Sequence, residues 1–364
     1  MAWTKPKYSR SQVNRAGRLL VADIDKSSAA NSKEWDQALA VINNWRSSHG
    51  YPLYVMGKTL LRRARKVDKR ALVAQRLKRL DSIALKLRRF DRMQLARMQD
   101  IAGCRAILSD VKQINELTNI YIGGIKKNIG SRQEFIEPYN YIDEPKADGY
   151  RSYHLVFKYR SDSERRSIYN GLRIELQLRS RLQHAWATAV ETVSTFTDQA
   201  LKSNIGEDSW KRFFVLMGTV IARWEKTKDV SDTPSTETEL REELISLCQE
   251  LQVEDMLLGW STALKITEPD EEAREYLMIL DTNQKHIRVQ PFDKNEALEA
   301  SEQYLEIEKE TRDNPSVQAV LVSVDSLSAL RTAYPNYYLD TTAFLDMVRK
   351  ATDGRSTARS RKRS

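Results

Sequence analysis

Between Asn140 and His154 the chain reads Asn-Tyr-Ile-Asp-Glu-Pro-Lys-Ala-Asp-Gly-Tyr-Arg-Ser-Tyr-His, which gathers a turn, a cation, stackable rings and a histidine in one short segment. That is the chemistry of a nucleotide-binding loop. Pro145 and Gly149 punctuate it, Lys146 can face phosphate, Tyr150 and Tyr153 offer flat faces to a base, and Ser152 and His154 can hydrogen-bond a ribose or phosphate. Two carboxylates stand in patterned surroundings on either side. The run Leu172-Arg-Ile-Glu-Leu-Gln-Leu-Arg179 alternates with period two, so Leu172, Ile174, Leu176 and Leu178 share one face of a strand and Arg173, Glu175, Gln177 and Arg179 the other. Asp-Ile-Ala-Gly-Cys-Arg, from Asp100 to Arg105, reads as a second core strand. A carboxylate among arginines on a sheet face makes a surface for magnesium and triphosphate. Upstream, Arg76-x-Lys78-x3-Ser82-x3-Lys86 predicts a helical stretch with Lys78, Ser82 and Lys86 on one face and Leu80, Ile83, Leu87 and Phe90 turned inward. A solvated basic surface helix is the plainer reading of that stretch taken alone.

In chain order, Arg-x-Lys-x3-Ser-x3-Lys, Asp-x-x-Gly-x-Arg, Tyr-Ile-x-x-Pro-Lys-x-x-Gly-Tyr-Arg-Ser-x-His and Ile-Glu-Leu-Gln-Leu-Arg resemble the synthetase domain of the RelA/SpoT family. The resemblance covers residues 40–200, and within the family the chain looks most like the small toxic synthetases of the single-chain toxin-antitoxin fusions used in phage defence. It implies transfer of an intact pyrophosphate from ATP to a ribose 3′-hydroxyl, with release of AMP, on a nucleotidyltransferase-like α/β sheet. Arg76, Lys78, Arg79, Ser82, Lys86 and Arg105 then correspond to the ATP site. Asp100 matches the magnesium-binding aspartate, and Glu175 the second acid, which completes the metal site or takes the proton of the attacking hydroxyl. Lys146, Asp148, Tyr150, Arg151, Tyr153, His154, Gln177 and Arg179 fall on the acceptor side, Tyr150 matching the ring that stacks on the acceptor base. Two positions depart from the family pattern: Asp148 stands where Asn is common, and Tyr153 where Leu or Ile precedes the histidine. An ionised carboxylate only accepts, so Asp148 puts a guanine-nucleotide acceptor in doubt without touching the ATP half. Tyr153 and His184 also read as simple packing residues.

Four dispersed histidines, none followed by Asp, leave no room for the His-Asp hydrolase of the long family members. The lysines between Gly124 and Gly130 sit at the wrong offset for a P-loop. Two cysteines exclude a disulfide framework and argue against a cysteine-based zinc site. No apolar run has membrane-spanning length and the amino terminus lacks a leader's apolar stretch, so the expected location is the cytoplasm. Charge is partitioned: residues 1–100 carry roughly +15 and residues 232–313 roughly −14. The cluster Arg62, Arg63, Arg65, Lys66, Lys69 and Arg70 exceeds what one ATP needs, which points to a second anion, and a tRNA acceptor stem supplies both that anion and a terminal 3′-hydroxyl. On this basis tRNA ranks ahead of GDP or GTP as acceptor, and a non-catalytic nucleotide or RNA binder ranks last.

With 364 residues, 41% of them hydrophobic, the chain can bury an ample core in two or three units. The expected architecture is α/β: a mixed β-sheet flanked by helices, followed by a smaller α+β domain. Residues 1–45 read as helical, with Asn31 and Glu34 spaced for a capping box, and 46–228 as the pyrophosphokinase domain. A linker at 229–238 contains Pro234, an acidic α+β module fills 239–350, and the basic stretch 351–364 reads as disordered. The module shows helices near 239–252, 295–312 and 340–350, a hairpin of 276–280 with 286–290, and a strand at 317–324. In the fused toxin-antitoxin relatives the equivalent region covers the synthetase and senses a phage structural protein. The module is therefore expected to restrain the enzyme through its acidic helix or through Tyr334, Tyr337 and Tyr338, so that its removal raises activity.

Overall fold

The computed structural model describes residues 3–24, 32–126, 133–200 and 207–262, and 265–353 apart from short breaks at 268–272, 274, 282, 294–295, 312–313, 315, 324–326, 336–337 and 339. Asn31, Tyr337 and the stretch 354–364 lie outside the described residues. Three helices lead in: α1 (Arg10–Ile24), α2 (Ser32–Ser48) and α3 (Gly50–Val67). The first half of the sheet follows, with β1 (Leu72–Leu77), α4 (Leu80–Arg89), β2 (Ala102–Leu108), α5 (Val111–Lys126), β3 (Gln133–Asn140), β4 (Tyr153–Tyr159), the single turn α6 (Glu164–Ser167) and β5 (Arg173–Ser180). Helices α7 (Arg181–Ala200), α8 (Glu207–Glu225), α9 (Glu237–Glu250) and α10 (Val253–Thr262) come next. The chain then adds β6 (Lys265–Thr267), β7 (Glu275–Asp281), β8 (His286–Phe292), α11 (Ala297–Glu310), β9 (Val317–Ser323), α12 (Leu327–Ala333) and α13 (Thr342–Thr352).

All nine strands join one sheet in the order β3-β4-β5-β2-β1-β9-β7-β8-β6. The β2–β5 and β6–β8 pairs are parallel and the others antiparallel. The mixed sheet with flanking helices matches the architecture expected from the sequence. Strand alternation divides its faces: Val73, Ala102, Cys104, Leu155, Ile174, Leu176 and Leu178 pack with Leu53, Met56 and Leu60 of α3 on one side. Ala74, Arg76, Arg105, His154, Glu175, Gln177 and Arg179 are thereby turned to the other. The carboxy-terminal half does not stand apart, because β9 pairs with β1 at Gln75↔Ser323 and Arg76↔Val322. Leu240, Leu244, Phe344 and Val348 of α9 and α13 share one core with Trp186, Phe213 and Met217 of α7 and α8. Residues 229–238 are tied to α8, since Arg223 donates to the carbonyls of Pro234 and Ser235 and pairs with Asp229 at 3.0 Å. The turn into α9 is a capping box, Thr236 with Glu239, which satisfies the exposed amides of its first turn.

The stretch expected to be helical from Arg76 to Lys86 is corrected by the fold. Arg76 ends a strand, Lys78 lies in the connection, and the helix begins at Leu80. Ladder bonds from β1 to both β2 and β9 outweigh the local helical spacing. Leu80, Ile83 and Leu87 do pack inward, whereas Phe90 at the helix end is 47% exposed. No helix among the described residues is long and apolar enough to cross a membrane.

Candidate active site

Asp100 sits just before β2 and holds two lysines: Lys78 Nζ donates to its Oδ2 at 3.0 Å and Lys86 Nζ to its Oδ1 at 2.9 Å. Lys78 arrives from β1, whose exit is pinned by Lys78 N donating to the Ile101 carbonyl at 2.8 Å. Lys86 arrives from the second turn of α4. Burial alone would raise the Asp100 carboxyl, but the lysines outweigh it and hold it at about 2. Desolvation in turn lowers the Lys78 ammonium against the pull of Asp100. The parallel β2–β5 ladder sets Glu175 opposite Gly103, three residues beyond Asp100. His154 Nδ1 lies 3.0 Å from Glu175 Oε1, and Gln177 Nε2 donates to Oε2 at 2.7 Å. Burial opposes ionisation of Glu175, yet His154 and Gln177 keep it below the usual carboxylate range. Arg105, only 7% exposed, is lowered to about 10 by burial and by neighbouring Arg179 and Arg76. Glu191 of α7 answers these arginines: burial would raise it, and Arg76, Arg105, Arg179 and Arg79 bring it down. Ser82 lies in the first turn of α4, and Arg79, at its cap, donates to Gln318 Oε1 of β9 at 2.9 Å.

The loop from Lys146 to Tyr150 closes as a turn, Gly149 N donating to the Lys146 carbonyl at 2.9 Å with Gly149 at φ +89°. Asp148 Oδ1 accepts from Tyr150 N at 2.9 Å, so this carboxylate caps the loop. Lys146 Nζ hovers 4.5 Å from the Tyr141 ring and 5.0 Å from the Tyr150 ring. Tyr150 turns its hydroxyl to His154 Nε2 at 2.8 Å and accepts from Arg179 Nη2 at 2.9 Å. Burial would raise that phenol, but Arg179 and His154 draw it down to about 7. His154 is raised in return, because Tyr150 and Glu175 outweigh its burial.

Two residues read as acceptor ligands face elsewhere. Arg151 is 2% exposed and donates to the carbonyls of Ile142, Gly218 and Lys228, so it fastens the loop to α8. Tyr153 alternates onto the opposite face and packs in the core there. His184 Nε2 lies 3.0 Å from the Thr332 carbonyl and burial lowers its imidazole. The basic cluster Arg62, Arg63, Arg65, Lys66, Lys69 and Arg70 does not converge on the site. Arg63 lies over Tyr121 at 4.4 Å, and Arg70 Nη2 donates to Ser109 Oγ at 3.2 Å, just past the far end of β2. At about 3.3 Å per residue along the strand, that end is on the order of 25 Å from Asp100.

The carboxy-terminal elements enter the cleft from the β1 side. Arg105 Nη1 donates to the Ala333 carbonyl at 3.3 Å, Tyr334 Oη donates to the Gln75 carbonyl at 3.3 Å, and Arg105 lies 5.8 Å from the Tyr334 ring. Tyr334 then lines, with Arg76, Lys78, Asp100, Arg105, Glu175 and Gln177, a cavity of about 30 Å³. Helix α11 makes a second contact: Glu308 Oε1 accepts from Leu80 N at the start of α4, and Glu308 Oε2 from Arg46 Nη1 at 2.6 Å. Tyr338 is buried beneath α12.

Sequence reasoning missed Glu191, Tyr139 and Tyr141 as members of this face. A signal existed for the first: His184, Thr188 and Glu191 recur at helical spacing among the apolar residues of α7. Tyr139 and Tyr141 gave none, since a β-bulge between Phe135 and Glu137 sets which way they point.

Comparison with known proteins finds relatives for part of the chain. The YjbM GTP pyrophosphokinase of Bacillus subtilis is 33% identical over 120 residues, 32% of this chain and 52% of that protein. The chain thus spans about half the length of this curated relative. Among solved structures, small alarmone synthetase 1 of Bacillus subtilis bound to its product pppGpp is 26% identical, covers 42% of this chain and 74% of its own, and has a TM-score of 0.34. A GTP pyrophosphokinase family protein from Streptococcus pneumoniae is 23% identical, with 54% and 91% covered and a TM-score of 0.39. The sequence profile described as "Region found in RelA / SpoT proteins" matches residues 75–199. It is this stretch, which carries Arg76, Lys78, Lys86, Asp100, His154 and Glu175, that is similar to the RelA/SpoT proteins.

Proposed function

We propose that this region transfers the intact terminal pyrophosphate of ATP to a ribose 3′-hydroxyl and releases AMP. One observation carries the reading: Asp100, bracketed by Lys78 and Lys86, faces the cleft that it shares with Glu175, which His154 and Gln177 hold ionised. Glu175 takes the proton of the attacking hydroxyl. Lys78, Lys86, Arg76 and Arg105 neutralise the triphosphate, and Arg79 joins them once released from Gln318. Two ionised, acceptor-only carboxylates suit Mg²⁺, which Asp100 and Glu175 would hold together with substrate phosphates. When bound, the ion supplies charge neutralisation on the transferred group.

Two acceptors fit this chemistry. A guanine nucleotide is supported by the names of the relatives above. The 3′ end of tRNA is supported by the excess of basic charge in the first hundred residues, and makes the protein a translation-blocking toxin of phage defence. We further read α12 and Tyr334 as a restraint. The remaining cavity of about 30 Å³ is far below the about 300–1,000 Å³ of clefts that hold small ligands, so nucleotide entry requires Tyr334 to leave. A phage structural protein acting on the carboxy-terminal module in the cytoplasm is the trigger this reading assigns.

The test uses the full chain and its Tyr334→Ala variant with γ-labelled ATP, Mg²⁺ and either GDP, GTP or deacylated tRNA, with Glu175→Gln as control. Label in an acceptor, stronger with Tyr334→Ala and absent with Glu175→Gln, is expected. A folded Tyr334→Ala protein that labels no acceptor would leave a nucleotide or RNA binder.

A further inference from the structure

A cavity of about 510 Å³, far roomier than the cleft beside Glu175, opens between α1 and the stretch that runs from α4 to the short 3₁₀ turn Leu95–Arg97. Its size falls within the about 300–1,000 Å³ of clefts that hold small ligands. Helix α1 supplies one wall. Its Val13, Ala16 and Leu20 pack into the core, while Asn14, Gly17, Arg18 and Val21, three and four apart, share the face turned to the cavity. The two walls come together at Gly17, where a Cβ would stand 2.9 Å from Leu95 Cβ. Asn14 pins them there, its Oδ1 accepting from Ala96 N at 2.9 Å and its Nδ2 donating to Gln94 Oε1 at 3.2 Å.

The lining divides into two chemistries. Val21, Leu87 and Leu95 give an aliphatic floor, with Leu87 and Leu95 buried, and no aromatic ring joins them. Arg18, Arg88 and Arg92 line the same cavity from exposed positions. Against these three guanidiniums stands the single carboxylate of Asp91, so the lining carries a charge of about +2, which complements the roughly −2 of a phosphate monoester. Arginine forks match phosphate oxygens, and an aliphatic floor takes an alkyl or acyl chain out of water.

The second wall has a further consequence, because the residues from Leu87 to Leu95 are the connection between Lys86 and Asp100, which meet in the cleft at 2.9 Å. Leu87 follows Lys86 directly, and the turn that Leu95 opens ends three residues before Asp100. A molecule packed between α1 and this connection bears on both members of the pair. We propose that the cavity is an effector site for a small amphipathic phosphate, its alkyl or acyl chain on Val21, Leu87 and Leu95 and its head among Arg18, Arg88 and Arg92. Occupancy ties the connection to α1, restricts Lys86 and Asp100, and tightens ATP binding. That coupling rests on the reading of the pair as the ATP side, whereas the binding site does not.

Isothermal titration calorimetry on the full-length protein with octyl phosphate, below its micelle concentration, reads the site directly. One molecule should bind per chain, at least about tenfold more tightly than 1-octanol or inorganic phosphate and more tightly than octanoate. Arg18→Gln combined with Arg92→Gln should weaken octyl phosphate about tenfold and flatten its salt dependence. Val21→Trp, which fills the cavity and keeps the arginines, should remove binding. Circular dichroism melts establish that the variants are folded. Equal affinity for inorganic phosphate or for 1-octanol, or binding unchanged in a folded Val21→Trp protein, overturns the proposal. Coupling is read in the Tyr334→Ala protein, where octyl phosphate should tighten ATP about fivefold and ATP should tighten octyl phosphate by the same factor. Octyl phosphate that binds without moving ATP affinity, or a folded Tyr334→Ala protein that binds no ATP, overturns the effector role. Because ATP affinity rather than label transfer is measured, a protein that labels no acceptor removes the pyrophosphate-transfer reading and leaves the effector site standing.

Discussion

Glu175 and Asp100 share a cleft lined with cations yet hold different partners, and that difference separates their roles. Asp100 is neutralised by two lysines, whereas the hydrogen bonds to the Glu175 carboxylate among the described residues come from a histidine and an amide, which leaves it the freer to accept a proton. Glu175→Gln keeps the side chain's shape and one acceptor oxygen and removes the basicity, so transfer should fall about 10²- to 10⁴-fold at unchanged ATP affinity, measured by single-turnover kinetics. Away from the cleft, His49 is wholly enclosed, its Nδ1 2.7 Å from the Trp45 carbonyl, and burial lowers its imidazole from 6.5 to about 4. The unfolded chain takes that proton near the ordinary value and the folded one resists it, so this contribution is complete above about 6.5 and drains as pH falls toward 4. Between pH 7 and pH 5 the loss is about 2 kcal/mol, and urea midpoints should show a His49→Gln protein losing correspondingly less over that interval.

At the scale of elements, the loop around Gly149, which we propose binds the acceptor, is held by α8. A Cβ at Gly218 would lie 3.0 Å from the Cα and carbonyl oxygen of Gly149, and one at Gly149 would lie 3.0 Å from the Phe214 carbonyl. Backbone opposes backbone at this crossing, so neither side can give by a rotamer change. Gly218→Ala should cost about 1–3 kcal/mol, lower the melting temperature, and raise KM for the acceptor more than for ATP. Steady-state kinetics in the Tyr334→Ala background read that split; equal effects on both substrates would argue against a loop-positioning role for α8. The same crossing shows how far local sequence carries. Gly149 announces a turn, but nothing near it announces Gly218, because the two meet only after the chain has passed through β4, β5 and α7.

Across the whole molecule, the acidic carboxy-terminal half is bound to the basic amino-terminal half by a buried ion pair and by a shared sheet. Arg46 is 1% exposed, and its guanidinium, which burial alone would lower, is raised by Glu308 and Tyr304. Glu308→Gln leaves a buried guanidinium without its counter-charge and should cost about 3–5 kcal/mol in urea unfolding, while Arg46→Met combined with Glu308→Leu should recover most of it. Removing residues 239–364 strips β9 from β1 and takes α9 and α13 from the core of α7 and α8. We therefore expect truncation to give an unstable protein, detectable by exposed apolar surface in dye binding, where Tyr334→Ala gives a folded one that binds ATP more tightly.

Period-two alternation fixed the two faces of β5 from the sequence alone, because a strand places its side chains by the geometry of its own backbone. The carboxylates, the cations and the loop chemistry were legible for the same reason: residue type and short spacing carry them. Arg76 and Lys78 were assigned to a helix because their spacing is helical, and the ladder partners that made Arg76 a strand residue lie far along the chain. That Tyr334 lines the cavity beside Glu175, that Arg151 turns into α8, and that Tyr139, Tyr141 and Arg173 line one face were decided by tertiary structure. Each depends on pairings across tens to hundreds of residues, whose register no local pattern encodes.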